Sequence, residues 1–364
     1  MSIPLPENRA MKYGYSNARV KCMKGLFLKP GFLDELIKVK SIPAMAELLE
    51  RTNYKEDLTA LSLKYHGSEL IELAARKHFS RVVKKVISFT PRGDKKIVEG
   101  LLKRWDLLNL KIILNGVQKG KRFEDMKDKI FPLGLMSVKH FEKISNSTVD
   151  TFFDAIKSSS FGKEILSVSS QYFNKRMFEA FKDTLKKGDQ FTQIQVLLDV
   201  YGYMIAEKYL ALSTMDISKI RGLLRNEIDA KNILIIERLK TRKKYDANAI
   251  REHLIVGGSL RSQLVNEIIN SKNLSTTAVL LSKKFRGFVL PSKDNMSLVD
   301  LEVALEKAIA YEKLKVFSNS VLSVGVILGF LLLKEEEIKN LGKIAMAKEF
   351  GFSENETKDM LVVV

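Results

Sequence analysis

Apolar positions along the chain recur at three- and four-residue spacing, with charged positions between them. Glu69-Leu70-Ile71-Glu72-Leu73-Ala74-Ala75-Arg76 and Asp300-Leu301-Glu302-Val303-Ala304-Leu305-Glu306-Lys307 both follow that pattern, which predicts amphipathic helices. Strand-like alternation is nowhere sustained. Breaks fall at Thr90-Pro91-Arg92-Gly93, Gly116 to Gly120, Phe131-Pro132-Leu133-Gly134, Gly257-Gly258 and Leu290-Pro291-Ser292. With seven prolines in 364 residues, the pattern predicts an all-α protein. The most apolar stretch, Val321 to Leu333, is interrupted by Ser323, Gly325 and Gly329 and followed by Lys334-Glu335-Glu336-Glu337. A bilayer span needs about 20 apolar residues, so this stretch is predicted to be a buried core helix.

The same landmarks recur three times in order. A glycine followed two residues later by an apolar residue opens each copy: Gly31-Phe32-Leu33, Gly134-Leu135-Met136 and Gly258-Ser259-Leu260. A helix end running to an aromatic follows, at Tyr54, Phe161 and Phe285. Each copy then reaches an acidic residue with an asparagine three positions on: Asp106 and Asn109, Asp229 and Asn232, Glu337 and Asn340. Two leucines and a basic residue stand just upstream (Leu101-Leu102-Lys103, Leu223-Leu224-Arg225, Leu332-Leu333-Lys334). Glycine to aromatic spans 23, 27 and 27 residues, and aromatic to asparagine 55, 71 and 55. The middle copy therefore carries extra length, placed around 171–187. Repeats this long can each bury a core, so the chain is expected to form three similar helical modules about a pseudo-threefold axis: 1–128, 129–252 and 253–364.

Residues three apart on a helix share a face. The pairs Asp106/Asn109, Asp229/Asn232 and Glu337/Asn340 thus lie on one side of strongly apolar helices, where a carboxylate and an amide must find partners. They are expected either to tie down a neighbouring turn or to line a surface that receives a partner. None resembles a catalytic dyad, because an asparagine is neither acid nor base.

Charge adds a constraint on surroundings. Lys and Arg number 61 against 43 Asp and Glu, a net of +18, which suits nucleic acid, anionic headgroups or an acidic protein. Basic runs at Lys119-Gly120-Lys121-Arg122 and Arg238 to Lys244 read first as solvated helix ends. No phosphate-cradling loop, His-Glu-x-x-His pair or zinc spacing occurs, and Cys22 is the single cysteine. No cofactor, metal or small-molecule substrate is expected. Met1 to Glu7 lacks the basic-then-apolar run of a secretory leader. A helical scaffold or adaptor and a basic nucleic-acid-binding helical protein are the competing readings, the second lacking any recognisable nucleic-acid module.

Tyr13-Gly14-Tyr15-Ser16-Asn17-Ala18-Arg19-Val20-Lys21-Cys22-Met23-Lys24 resembles the opening of the C subunit of archaeal-type (A/V-type) ATP synthases, relatives of the d subunit of the vacuolar ATPase. Glu227 to Ile233 and Glu336 to Ile344 are similar to that family's Asp-x-x-Asn-Leu/Ile motif in its central and C-terminal copies, the departure being Trp105 before Asp106 in the first copy. The resemblance implies a funnel-shaped, non-catalytic central-stalk subunit. Its partners would be shaft subunits D and F and the membrane proteolipid ring. It would lie peripherally at the cytoplasmic face of the membrane, without nucleic acid, and transmit torque for ATP synthesis or ion pumping.

Overall fold

A computed structural model describes residues 8–362, apart from 135, 160, 161, 243, 244, 256, 292–295 and, between 164 and 214, all but 194, 198, 201–204, 208 and 209. The expected extra length around 171–187 and the aromatic landmark Phe161 lie outside the described residues. No strand occurs among the described residues, so the all-α expectation holds.

The helices, numbered along the described chain, begin with α1 (Arg9–Lys24), α2 (Pro30–Lys38), α3 (Ile42–Leu49), α4 (Lys55–Leu61) and α5 (Gly67–Phe89). Then come α6 (Lys95–Gln118), α7 (Val138–Ser145) and α8 (Val149–Lys157). The remainder are α9 (Met215–Lys240), α10 (Ala247–Glu252), α11 (Ser262–Ile269), α12 (Leu274–Lys284), α13 (Leu298–Asn319), α14 (Val324–Glu349) and α15 (Glu354–Met360). Local chemistry sets many of the starts. Asn8, Ser41, Asn273 and Ser323 accept backbone N–H bonds at the first turns of α1, α3, α12 and α14. Ser297 with Asp300, and Ser353 with Glu356, form reciprocal capping boxes that open α13 and α15.

These elements form two compact units, Met1–Pro91 together with Met215–Val364, and Arg92–Thr214. In the first unit α14 is the central element. Helices α5, α13, α1, α9 and α3 pack against it, and α15 packs on both α14 and α2. Nearly all of α14 from Val324 to Leu341 is buried, which is why so apolar a helix forms here. No helix among the described residues is long and apolar enough to cross a membrane. The apolar stretch does not stop the helix where its charges begin. Lys334, Glu335, Glu336 and Glu337 continue α14 for another turn and are themselves buried. In the second unit α7 and α8 pack on α6, whose inward face carries Trp105, Leu110, Ile113 and Leu114 against a core that includes Phe141 and Phe152.

Candidate functional site

Each of the three asparagines grips one downstream residue's backbone at two points. Asn109 Nδ2 donates to the Phe131 carbonyl at 2.8 Å, and the Phe131 N–H donates to Asn109 Oδ1 at 3.1 Å. Asn232 does the same to Ile255, at 2.8 and 2.7 Å. Asn340 repeats it on Val362, at 2.7 and 3.0 Å. The intervals are 22, 23 and 22 residues. An amide side chain matches a peptide edge with one donor and one acceptor, which a carboxylate or a hydroxyl cannot do in this geometry.

The acidic residue one turn earlier takes backbone N–H groups slightly further along. Asp106 accepts from Gly134 at 3.3 Å and Met136 at 3.1 Å. Asp229 accepts from Ser259 and Leu260 at 2.7 and 3.1 Å, and from the Ser259 hydroxyl at 2.6 Å. Lys284 Nζ lies 3.2 Å from the same carboxylate. Asp106 and Asp229 are fully buried, so these donors stand in for lost water. Gly134 and Gly258 are where the clamps close most tightly. A Cβ there would lie 2.1 and 2.2 Å from an Asp106 and an Asp229 carboxylate oxygen respectively. Gly31 has no such neighbour, with nothing within 4 Å of its would-be Cβ, so the first glycine landmark does not share that role.

Glu337 completes the set with a partner from the other end of the chain. Its Oε2 accepts from the Leu28 N–H at 2.7 Å and its Oε1 from the Tyr54 hydroxyl at 2.6 Å. Leu28 stands two residues before α2, so the acidic residue of the third copy holds the entrance to the first. Asp106 holds the entrance to the second copy and Asp229 the entrance to the third.

Charged groups invisible as a set in the sequence gather around Glu337. Lys334 Nζ pairs with it at 2.5 Å and faces the rings of Phe27 and Tyr54, 5.0 and 4.9 Å from their centroids. Burial pulls the Lys334 ammonium below its ordinary pKa, against the pull of Glu337. Burial, then the charge and hydrogen bond of Glu337, hold the Tyr54 phenol well above the usual 10. Tyr54 packs on His78, with ring centroids 4.3 Å apart. His78 Nδ1 lies 3.3 Å from Asp57 Oδ2, and Arg81 reaches that carboxylate at 2.6 Å. Elsewhere on α14, Lys313 from α13 bridges Glu227 of α9 and Glu336 at 2.9 and 2.7 Å, a buried three-helix junction. Burial would raise the Glu336 carboxyl, but Lys313 and Lys339 hold it far below the usual range.

Asn17, within the N-terminal segment, forms a fourth amide clamp. It donates to the Ser323 carbonyl and accepts from the Ser323 N–H, both at 3.0 Å, where α14 begins. Its position inside a helix between buried neighbours was the available signal; its partner, 306 residues away, was not. In the basic run at the end of α9, Lys240 donates to the Ile268 carbonyl and to Ser271, while Arg238 and Arg242 are exposed. No cluster of three or more His, Cys, Asp or Glu able to hold a metal occurs among the described residues.

A family model described as ATP synthase (C/AC39) subunit matches residues 16–360. The C subunit of the A-type ATP synthase of Methanosarcina barkeri is 24% identical, covering 98% of this chain and 95% of its own length. That of Thermoplasma acidophilum is 24% identical, with coverages of 95% and 97%. The C subunit of the V-type ATP synthase of Deinococcus radiodurans is 25% identical, with coverages of 95% and 90%. The match begins at Ser16, beside the Asn17 clamp, and takes in all three acidic–asparagine pairs: this chain belongs to the ATP synthase (C/AC39) subunit family.

Proposed function

We propose that this chain is the non-catalytic central-stalk subunit of a rotary A/V-type ATP synthase, linking the D–F shaft to the membrane proteolipid ring. The observation that carries the reading is the family match from residue 16 to residue 360. Relatives named as C subunits of A-type and V-type synthases, of nearly equal length, support it. The role is mechanical. Torque passes through a body only if the body resists shear between its parts, and side chains bonded to backbone resist it without adding mobile linkers.

The paired residues suit that requirement. Asp106/Asn109, Asp229/Asn232 and Glu337/Asn340 are proposed to fasten each module's long helix to the entrance of the next, the third closing onto the first. The modules are taken as 1–128, 129–252 and 253–364 about a pseudo-threefold axis, forming a funnel-shaped socket. The protein is placed peripherally at the cytoplasmic face of the membrane, where a net charge of +18 favours anionic headgroups and an acidic shaft end.

The test is co-purification of the protein with the D–F pair and, separately, with the detergent-solubilised ring, at about 150 mM salt so that unspecific charge attraction is screened. Retention on both, and in a ternary complex, is expected. Retention on neither, with binding to anionic polymers instead, would remove the coupling role.

A further inference from the structure

The first unit carries a groove of about 720 Å³ above the α14 helix, a volume in the range of small-ligand pockets. The side formed by the end of α1 and the loop after it is apolar, through Met23, Leu26 and Phe27, with the buried Phe330 of α14 backing the Phe27 ring, centroids 5.3 Å apart. Leu26 is 58% exposed there, an uncovered side chain at the mouth of an apolar trough. The other side, from α4 and α5, brings Lys55 and Lys85. Among the described residues neither of their ammonium groups forms an ion pair. The remaining charges lining the groove are engaged. Arg81 pairs with Glu56 and Asp57, and Lys334 pairs with Glu337 beneath the Phe27 and Tyr54 rings.

This arrangement selects a ligand class. An inorganic anion would satisfy the lysines but leave the trough wetted, and an uncharged hydrocarbon would cover the trough but leave both lysines unused. We infer that the groove binds a single-tailed anionic amphiphile, an aliphatic chain bearing a carboxylate or phosphate head, with the tail on Met23, Leu26 and Phe27 and the head at Lys55 and Lys85. The inference does not depend on the rotor role. Occupancy would also bear on the closure of the first unit, because Phe27 precedes Leu28, whose N–H rests on Glu337.

Isothermal titration of the full chain with oleate and with oleoyl lysophosphatidate, both kept below micelle formation, tests this. Inorganic phosphate and an uncharged detergent of similar chain length serve as controls. One saturable site is expected for at least one of the anionic amphiphiles, with the preferred head identifying carboxylate or phosphate as the source. No saturable binding of phosphate alone is expected, and the uncharged detergent should bind at least tenfold more weakly. The double variant K55E/K85E, at two exposed positions, should weaken binding about tenfold, the worth of two exposed ion pairs. Leu26→Asp should weaken it comparably by wetting the trough. Should K55E/K85E melt early, K55Q/K85Q replaces it with the same expected direction. Unchanged affinity in the lysine variants, saturable binding of phosphate alone, or no binding of either amphiphile would overturn the inference.

Discussion

The Leu28 N–H donates to Glu337 Oε2 at 2.7 Å, a bond between residues 309 positions apart. Its counterparts, Asp106 to Met136 and Asp229 to Ser259, each span only 30 positions. The longer glutamate stands where the bound backbone arrives from a distant part of the chain, and its other oxygen is shared by the Tyr54 hydroxyl and the Lys334 ammonium. Tyr54→Phe keeps the ring packed on His78 and removes the hydroxyl alone. A loss of about 1–3 kcal/mol is expected, the range for leaving a buried charged acceptor short of one bond. Urea denaturation of the variant against the parent measures it, and an unchanged midpoint would show the contact to be idle.

The asparagine clamps should behave alike in energy and differently in consequence. Replacing Asn109, Asn232 or Asn340 with alanine strands one buried N–H and one carbonyl, at about 2 kcal/mol or more. In Asn340→Ala the freed segment is Leu361–Val362, so limited proteolysis should trim residues after Met360 well before the molecule unfolds. Asn232→Ala frees an internal connection instead, and thermal unfolding should move without early trimming.

The glycine landmarks separate into two kinds. Gly134→Ala and Gly258→Ala would drive a methyl into the Asp106 and Asp229 carboxylates. Either should cost about 1–3 kcal/mol or more, as overpacked cores do. Gly31→Ala meets open space within α2 and should be neutral or stabilising by up to about 1 kcal/mol. Melting temperatures of the three variants decide this, and a uniform loss at all three would contradict the geometry.

Acid should loosen the first unit through His78. Burial, together with Lys334 and Arg81, pushes its imidazole below the ordinary 6.5, although Asp57 pulls the other way. The unfolded chain therefore takes up this proton near 6.5 while the folded chain resists it, so stability is full above that value and falls as pH drops below it. Asp57 adds a loss in the same direction further down. Burial would raise its carboxyl, but His78 and Arg81 outweigh that and hold it below the usual 3.8. Denaturation midpoints taken between about pH 8 and pH 5 should decline across the histidine range. His78→Gln, which can still donate to Asp57, should flatten that decline.

Much of the clamp system was legible in the sequence, because a carboxylate and an asparagine three apart on an apolar helix must be buried together and must be bonded. What they hold was not legible. Their partners are main-chain groups, which carry no residue signature, and for Glu337 the partner lies at the far end of the chain. Of the Val321–Leu333 stretch, Val324 to Leu333 is the buried helix expected, while Val321 stands exposed before it; the run from Lys334 to Glu337 continues the helix, buried. Lys313 of α13 reaches Glu336, the Tyr54 hydroxyl reaches Glu337 from the turn before α4, and Lys334 and Glu337 pair with each other. Single charges along one helix do not reveal such cross-helix pairing. The aromatic landmark Tyr54 was visible as a repeat feature, whereas its hydroxyl on Glu337 depends wholly on tertiary placement.

The central position of α14 also sets when the first unit can assemble during synthesis. Helix α5 is complete by Phe89, but the surface it packs on is not made until residues 324–349 emerge. At 5–20 residues per second, that is a wait of roughly 12 to 50 s. Through it the faces of α1, α3 and α5 that pack on α14 have no native cover, while the second unit, contiguous from Arg92 to Thr214, can condense as it leaves the ribosome. The nascent chain thus finishes its middle before its beginning, and its early helices are the part for which a holding chaperone would matter most.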